Sequence, residues 1–410
     1  MEFAGRMRAG ARARILALLA IVVAAGVGCS SVTVGGHPRP MLTPVELTTL
    51  KTGPHPREPT QYDPKISGVA DIREIEARRM LNYLVLPPEI DSEISEIGAV
   101  ELFSSPADPF IQEVLPEKYR PATVDNNLLA GVYESRINSS LRNRKKLIIS
   151  VLRFPTPAAS QKAADDFDRI ANEDAGRHRL PIEGYPDARA SSADDVTGLS
   201  FIARDQFVIL TNAGVPQPDQ TTLSGVIKKT VETQIARLQQ LHPMAFDDVL
   251  DLPTDPDSIL RRALPAAADY SDPFILTYDF GAFQPAADLH YERNPLELKK
   301  AFEASGVDLI GRRGGIVYRA RDLTGAFHLQ SALVKTGKND EELPSPPGLP
   351  DTRCIRLDEV DVVRKFDEMC AVIYDRYVAV VVTKSKLSGA MNPDLYQRAA
   401  AQYSVLVKSE

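Results

Sequence analysis

The chain has 410 residues, 43% of them hydrophobic and 25% charged, with 31 Pro, 24 Gly, three Cys and no Trp. That length suits two domains, because single cores stop growing at about 250 to 300 residues, and the composition excludes wholesale disorder and collagen-like repetition. With 48 Lys and Arg against 55 Asp and Glu, a net charge of −7 and a pI near 5.6, the chain lacks the basic excess of a nucleic-acid binder.

The N-terminus has three consecutive parts: a basic stretch with Arg6, Arg8, Arg12 and Arg14, an unbroken apolar run from Ile15 to Val27, then Gly28-Cys29. Residues 1–28 read as a secretory signal peptide, and the apolar run falls short of the roughly 20 residues that cross a bilayer as a helix. Small residues ending in a cysteine have the arrangement of a bacterial lipobox, with Gly26 where that pattern usually carries Leu. Cys29 is therefore the expected lipidation site, and its acyl chains, at about 0.8 kcal/mol per buried CH2, would hold the protein on the extracytoplasmic face of the cell membrane. Residues 29–66, rich in Pro, Gly and Thr and without a period, read as a disordered tether.

An N-terminal α+β domain is expected over 67–245. Asp71, with Glu74 three residues later, predicts a helix start, with Ile72, Ile75, Leu81 and Leu84 as its buried positions. Strands are expected at Gly131–Ile137 and Leu147–Phe154, separated by the solvated run Arg142–Lys146. Pro157–Asn172 puts Ala159, Ala163, Phe167 and Ile170 on one helical face, with Asp165, Asp166 and Asp168 turned outward. Gly198–Thr211 reads as two strands joined at Arg204-Asp205, and Asp219 caps a helix running to Leu241 through Leu223, Ile227, Val231, Ile235 and Leu238.

Residues 246–272, dense in Asp and Pro, read as a linker; counted from Asp255 they lack the sixth-position Gly and twelfth-position Glu of a calcium loop. A C-terminal α+β domain follows over 273–410. Its expected elements are a strand Ala287–Tyr291, a helix opened by Asn294-Pro295 and ended by Gly306, and a hairpin around Arg312–Gly315 returning as Ile316–Ala320. A strand Phe327–Val334, a polar loop Lys338–Pro350, a strand Ala371–Thr383 and a final helix after Asn392-Pro393 complete it. Each half closes with a tight Asp-containing turn, an apolar strand and an amphipathic helix, which suggests two domains related by duplication, each an antiparallel sheet with packed helices.

With Cys29 assigned to lipid, Cys354 and Cys370 remain, and outside the cytoplasm an even pair reads as a disulfide. They cannot fill a zinc shell without a nearby His and do not form C-x-x-C.

The segments RRMLNYLVLPPEID, LLAGVYESR, LRFPTPAASQKAADDFDRI, NPLELKKAFEASGVDLI with VYRARD, GLPDTRC, CAVIYDRYVAVV and the terminal AAAQY together resemble a family of actinobacterial secreted lipoproteins of mycobacterial and nocardial type. The resemblance covers most of residues 60–410. It implies an envelope location, a two-domain body and a paired set of C-terminal cysteines, and no catalytic residue.

Chemistry has little support in the sequence. His37, His55, His178, His242, His290 and His328 show no metal-ligand spacing, and each is expected in a structural role. No G-x-S-x-G elbow occurs, and Gly306–Gly315 lacks the Lys-Ser/Thr ending of a phosphate loop. The densest aromatic group, Tyr278, Phe280, Phe283 and Tyr291, is expected to pack one domain against the other and is the first place to look for a ligand groove. The sequence thus predicts a lipid-anchored, non-enzymatic binding or interaction module with no cofactor and no metal, whose partner is a protein or an apolar small molecule and not nucleic acid. An envelope hydrolase built from sequence-distant carboxylates, or a purely structural component, are the alternatives.

Overall fold

The computed structural model describes residues 31–34, 37–62, 66–242, 244–265, 280–386, 388 and 390–410. It divides into two compact units, residues 1–44 and 45–410. In the first, Ser31–Val34 and His37–Pro40 pair as an antiparallel hairpin. Cys29 lies outside the described residues.

The second unit contains two seven-stranded antiparallel sheets. The N-terminal sheet is built from β1 (Glu96–Phe103), β2 (Ala130–Ile137), β3 (Lys146–Arg153), β4 (His178–Arg179), β5 (Arg189–Ser192), β6 (Thr197–Arg204) and β7 (Phe207–Gly214). The C-terminal sheet uses β8 (Gly281–Phe283), β9 (Leu309–Arg312), β10 (Ile316–Arg319), β11 (Glu341–Leu343), β12 (Arg353–Arg356), β13 (Glu368–Tyr374) and β14 (Tyr377–Thr383). Their orders are β1-β2-β3-β7-β6-β5-β4 and β8-β9-β10-β14-β13-β12-β11, the same path through each sheet. In both halves one helix connects the third strand to the fourth and another follows the seventh: α2 (Pro157–Ala171) and α3 (Gln220–Leu238) in the first, α5 (Leu323–Leu333) and α6 (Asp394–Val407) in the second. The body is therefore α+β with two domains, as composition and patterning predict, and the shared order extends the parallel between the halves from their closing elements to the whole sheet.

Local chemistry explains most of these elements. The Thr156 hydroxyl and the Asp219 carboxylate each accept a backbone N–H in the first turn of their helix, at 3.1 and 2.9 Å. Helix α1 (Val69–Leu81) begins at Gly68, so Asp71 is its third residue; its carboxylate reaches back to Ser67 N at 2.6 Å and Gly68 N at 3.0 Å. Its buried positions are Glu76, Ala77, Met80 and Leu81, while Ile72 and Ile75 are half-buried. Asp168, expected on the outer face of α2, is buried against Arg179 at 2.5 Å. Helix α4 (Pro295–Ser305) stops at Gly306, whose φ of +63° is the left-handed conformation that glycine adopts without strain.

Three expectations fail for identifiable reasons. Ala287–Tyr291 is not a strand: Pro285 presets helical φ, and a helical turn Pro285–Asp288 runs into a 3-10 turn Leu289–Tyr291. Phe327–Val334 is the body of α5, because the Asp322 carboxylate caps Gly325 N at 2.8 Å and Ala326, Leu329 and Gln330 form its buried stripe. Ala371–Thr383 is the β13/β14 hairpin, folded at Asp375 with φ +49°. Within the polar loop, Glu341–Leu343 forms the edge strand β11, and Cys354 lies in β12.

The two connecting segments are more ordered than their composition suggests. Of the residues read as a tether, those from Val45 to Tyr62 pack on the C-terminal half: Leu50 is buried in its core, His55 Nε2 lies 2.7 Å from Asp394, and Glu58 pairs with Lys408. Sparse but well-placed apolar and charged anchors replace a periodic pattern there. In the acidic linker Val249, Ile259, Leu260, Ala263 and Leu264 are buried, and residues 266–279 lie outside the described set.

The cores differ. Phe103, Phe110, Tyr119, Phe154, Phe167 and Phe201 fill one face of the N-terminal sheet under α2, with Phe167 and Phe201 stacked at 5.3 Å. In the C-terminal half, Leu395, Ala399 and Leu406 of α6 cover Cys370, Val372, Ala379 and Val381. Along β13 and β14 the intervening residues, such as Met369 and Val380, face the other way, toward α4 and α5.

Candidate functional site

The site is set up by a charged junction between the two sheets. On β2, Val132, Glu134 and Arg136 share one face by strand parity, and both charged residues are fully buried. The Arg136 Nε donates to Glu134 at 2.5 Å, Nη1 to Ser95 O at 2.7 Å, and Nη2 to the carbonyls of His290 and Glu292 at 2.8 and 3.2 Å. The other Glu134 oxygen lies 2.6 Å from His290 Nδ1. Burial pushes the Glu134 carboxyl up, but His290 and Arg136 outweigh it and hold the group below its usual value. Glu134 is thus an ionised acceptor, and His290 Nδ1 carries the proton between them.

From the C-terminal sheet, Arg312 on β9 reaches the same segment. Its Nε donates to the buried Asp288 at 2.7 Å, its Nη2 lies 3.6 Å from Glu292, and its guanidinium sits 4.3 Å from the Tyr291 ring centroid. Residues 288–292 are consequently clamped from both sheets. The Phe283 and Tyr291 rings meet edge to face at 6.0 Å and form, with Arg312, a wall.

On one side of this wall is a partly open cavity of about 210 Å³ in the C-terminal half. Leu298, Ile355, Leu357, Met369 and Val380 give it an apolar floor. Glu292, Tyr318, Asp361 and Arg364 face it, and Arg293, Glu297 and Lys335 stand at its mouth. Burial, reinforced by Asp288, pushes the Glu292 carboxyl up to about 7 despite Arg312 and Arg364. The Tyr318 hydroxyl, 3.3 Å from Glu292, is held well above the ordinary tyrosine range, chiefly by burial.

On the other side is a groove of about 870 Å³ between α1 and the linker on one flank and β8 and β9 on the other. Ile75, Leu252, Pro253 and Phe283 line it, together with Tyr62 and Phe280, whose rings lie 5.1 Å apart. Gly281, with φ +138°, lets the Arg78 guanidinium lie across the start of β8, where a Cβ would come within 2.7 Å of it. Each described cation on these walls is paired: Arg78 with Glu74 and Arg79 with Glu76, both at 2.7 Å, and Arg319 with Asp308 and Asp257, also at 2.7 Å.

The aromatic group singled out in the sequence is divided by this geometry. Phe280 and Phe283 line the groove, Tyr291 lines the cavity, and Tyr278 lies outside the described residues. Cys354 and Cys370 sit opposite each other on β12 and β13 and form a disulfide. Of the described histidines, His328 lies 3.0 Å from Ser305 and His178 2.9 Å from Asp195. Among the described residues no three His, Cys, Asp or Glu side chains gather as a metal-binding group, and no helix is long and apolar enough to cross a membrane. Glu134, Arg136, Glu292, Arg312 and Tyr318 escaped the sequence reading. The first two had a signal, charges at positions whose parity matches buried Val132; Glu292 had none, because its neighbours come from residues 288 to 364.

A family described as a domain of unknown function (DUF7373) matches in two parts, its N-terminal domain to residues 64–254 and its C-terminal domain to residues 259–409. No curated protein matches the chain significantly. Among solved structures, the extracellular domain of PknH from Mycobacterium tuberculosis is similar at 15% identity and a TM-score of 0.29, over 39% of this chain and 97% of that one.

Proposed function

The chain belongs to the DUF7373 family through both of that family's parts, and since its description assigns no function, we propose from the residues themselves a lipid-anchored, extracytoplasmic binding protein that takes a neutral, apolar small molecule in the groove between its halves. The observation that carries this reading is the groove itself. Its volume of about 870 Å³ lies within the roughly 300 to 1,000 Å³ typical of small-molecule sites. Its walls carry the aromatic and aliphatic side chains of Tyr62, Ile75, Leu252, Phe280 and Phe283 between ionic groups, and pairing of Arg78, Arg79 and Arg319 leaves no unpaired cation among the described residues of its walls to select an anion. The basic and apolar leader ending at Cys29 supports secretion and lipidation, and the Cys354–Cys370 bridge suits an oxidising compartment.

The body works by binding rather than by catalysis. A carboxylate-pair hydrolase needs two carboxyl groups available to substrate. Of the three that line the C-terminal cavity, Glu297 pairs with Lys335 at 2.5 Å, and Asp361 accepts the backbone N–H groups of Val363 and Arg364 at 3.0 and 2.7 Å and serves to hold its loop.

Native mass spectrometry of residues 30–410 purified from a bacterial envelope tests the groove. An apolar metabolite retained by the wild type and lost in Ile75→Asp is the expected result; a bare polypeptide mass refutes the reading. Labelled palmitate incorporated by the full-length precursor and lost in Cys29→Ser tests the anchor separately.

A further inference from the structure

We infer that the cavity of the C-terminal half is a second binding site, independent of the groove, and that it takes a small primary ammonium compound with an apolar body, whose charge is met by Glu292.

The argument starts from the ionic partners in and around the cavity. At its mouth Lys335 is held by Glu297 at 2.5 Å, and Arg293 lies 3.6 Å from Asp340. Behind the wall Arg312 donates to Asp288 at 2.7 Å and stands 3.6 Å from Glu292, too far for a hydrogen bond. Arg364 stacks on Phe366 at 4.9 Å, and its backbone N–H donates to Asp361, three residues before it on the same loop, at 2.7 Å. The inner set is therefore three carboxylates, Asp288, Glu292 and Asp361, against two guanidinium groups, Arg312 and Arg364. Among the described residues this leaves the set one positive charge short, and Glu292, whose side chain is 21% exposed, is presented to the space, while Asp361 is occupied by the backbone N–H groups of its own loop. Arg136, from the other sheet, cannot supply it, because its donors are committed to Glu134 and to backbone carbonyls.

The groups facing Glu292 are accounted for element by element. Asp288 and Tyr291 come from its own segment, Arg312 from β9, Tyr318 from β10, and Asp361 and Arg364 from the loop before β13. Burial and the neighbouring Asp288, with Arg312 hydrogen-bonded to Asp288 and 3.6 Å from Glu292, let Glu292 keep a proton, consistent with its titration near neutrality. An entering ammonium displaces that proton, while the Tyr318 hydroxyl remains on Glu292 Oε1. The apolar floor of Leu298, Ile355, Leu357, Met369 and Val380 then sets the rest of the ligand. A volume of about 210 Å³ exceeds the roughly 150 Å³ that holds one benzene ring, so a single ring or a short aliphatic chain fits.

Calorimetric titration of residues 30–410 with benzylamine, benzyl alcohol and benzoate reads the sign of the charge. Benzylamine is expected to bind at least about tenfold tighter than benzyl alcohol, and benzoate not at all. Benzylamine affinity should fall more than about tenfold from pH 7.5 to pH 5.5 as Glu292 takes up its proton, with roughly half a proton released on binding at pH 7. Glu292→Gln should weaken benzylamine by about tenfold and abolish the pH dependence. Ala332→Leu, which narrows the cavity at a half-buried position, should block binding with the melting temperature held, whereas Ile75→Asp in the groove should leave it unchanged. Benzoate binding as tightly as benzylamine, benzylamine affinity unaffected by Glu292→Gln or by Ala332→Leu, or no binding of benzylamine would each overturn the inference.

Discussion

Arg136 and Arg312 occupy the second strands of their respective sheets, both are buried, and both grip residues 288–292. They do so with different chemistry. Arg136 is neutralised within its own strand by Glu134 and holds the segment through carbonyls; Arg312 is neutralised by the segment's own Asp288. The same path through two sheets therefore fixes where a side chain stands and leaves open what it does there. One half uses its arginine to join the domains, and the other places it behind the wall of a cavity.

The sharpest way to break this comparison is to remove one clamp. Arg136→Met leaves Glu134 buried with one partner fewer and three carbonyls unmatched, and should cost about 3 to 5 kcal/mol in denaturant unfolding, exposing the junction before either core melts. Next in size is the bridge, which the first half lacks. Cys354→Ser with Cys370→Ser should lower stability by roughly 3 kcal/mol, the chain-entropy value for a loop of this length, with the earliest loss of hydrogen-exchange protection in β12 and β13. A retained melting temperature would show that α6 alone secures that edge.

The two buried carboxylates also separate by pH. The Glu292 group titrates near 7 in the folded state against 4.5 in the reference state, so the fold binds its proton more tightly than the unfolded chain does. Its contribution is present below pH 4.5 and is lost as pH rises toward 7, with a slope no steeper than about 1.4 kcal/mol per pH unit. Glu134, lowered in the fold, acts in the opposite sense and loses its contribution on acidification. Comparing wild type with Glu292→Gln between pH 4.5 and 7 isolates the first slope; parallel curves would refute it. The smallest effect concerns the closing helices. Asp219 caps α3 through its side chain, whereas Pro393 at the start of α6 makes no side-chain cap bond. Asp219→Ala should therefore cost about 1 kcal/mol, read from the thermal midpoint.

Elements whose pattern and punctuation agreed were legible in the sequence: β2 and β3 by their β-forming runs, α3 by its Asp219 cap and stripe, and α4 by Pro295 and Gly306. Legibility failed where residue type and punctuation disagreed. Phe327 and Val334 have β-propensity, but Asp322 had already started a helix, and the cap decided the outcome. The groove was half legible, since Phe280 and Phe283 stand out as aromatics in sequence while their opposite wall, Ile75 and Arg78, lies some 200 residues earlier. The cavity was not legible at all. What distinguishes Glu292 is the shortfall of countercharge among the described residues around it, a property of four elements at once and of no short segment.

The packing of residues 45–62 has a consequence for the order in which the protein is made. His55 and Asp394 meet across 339 positions of chain, and Leu50 fills the core that α6 completes. The closing helix thus finishes its packing against a segment synthesised long before it, which must stay unsatisfied until the ribosome has delivered nearly the whole polypeptide. Completion is a late ring closure rather than a simple succession of first domain then second. A fragment cut at residue 64, where the family match begins, would leave that seam open along α6.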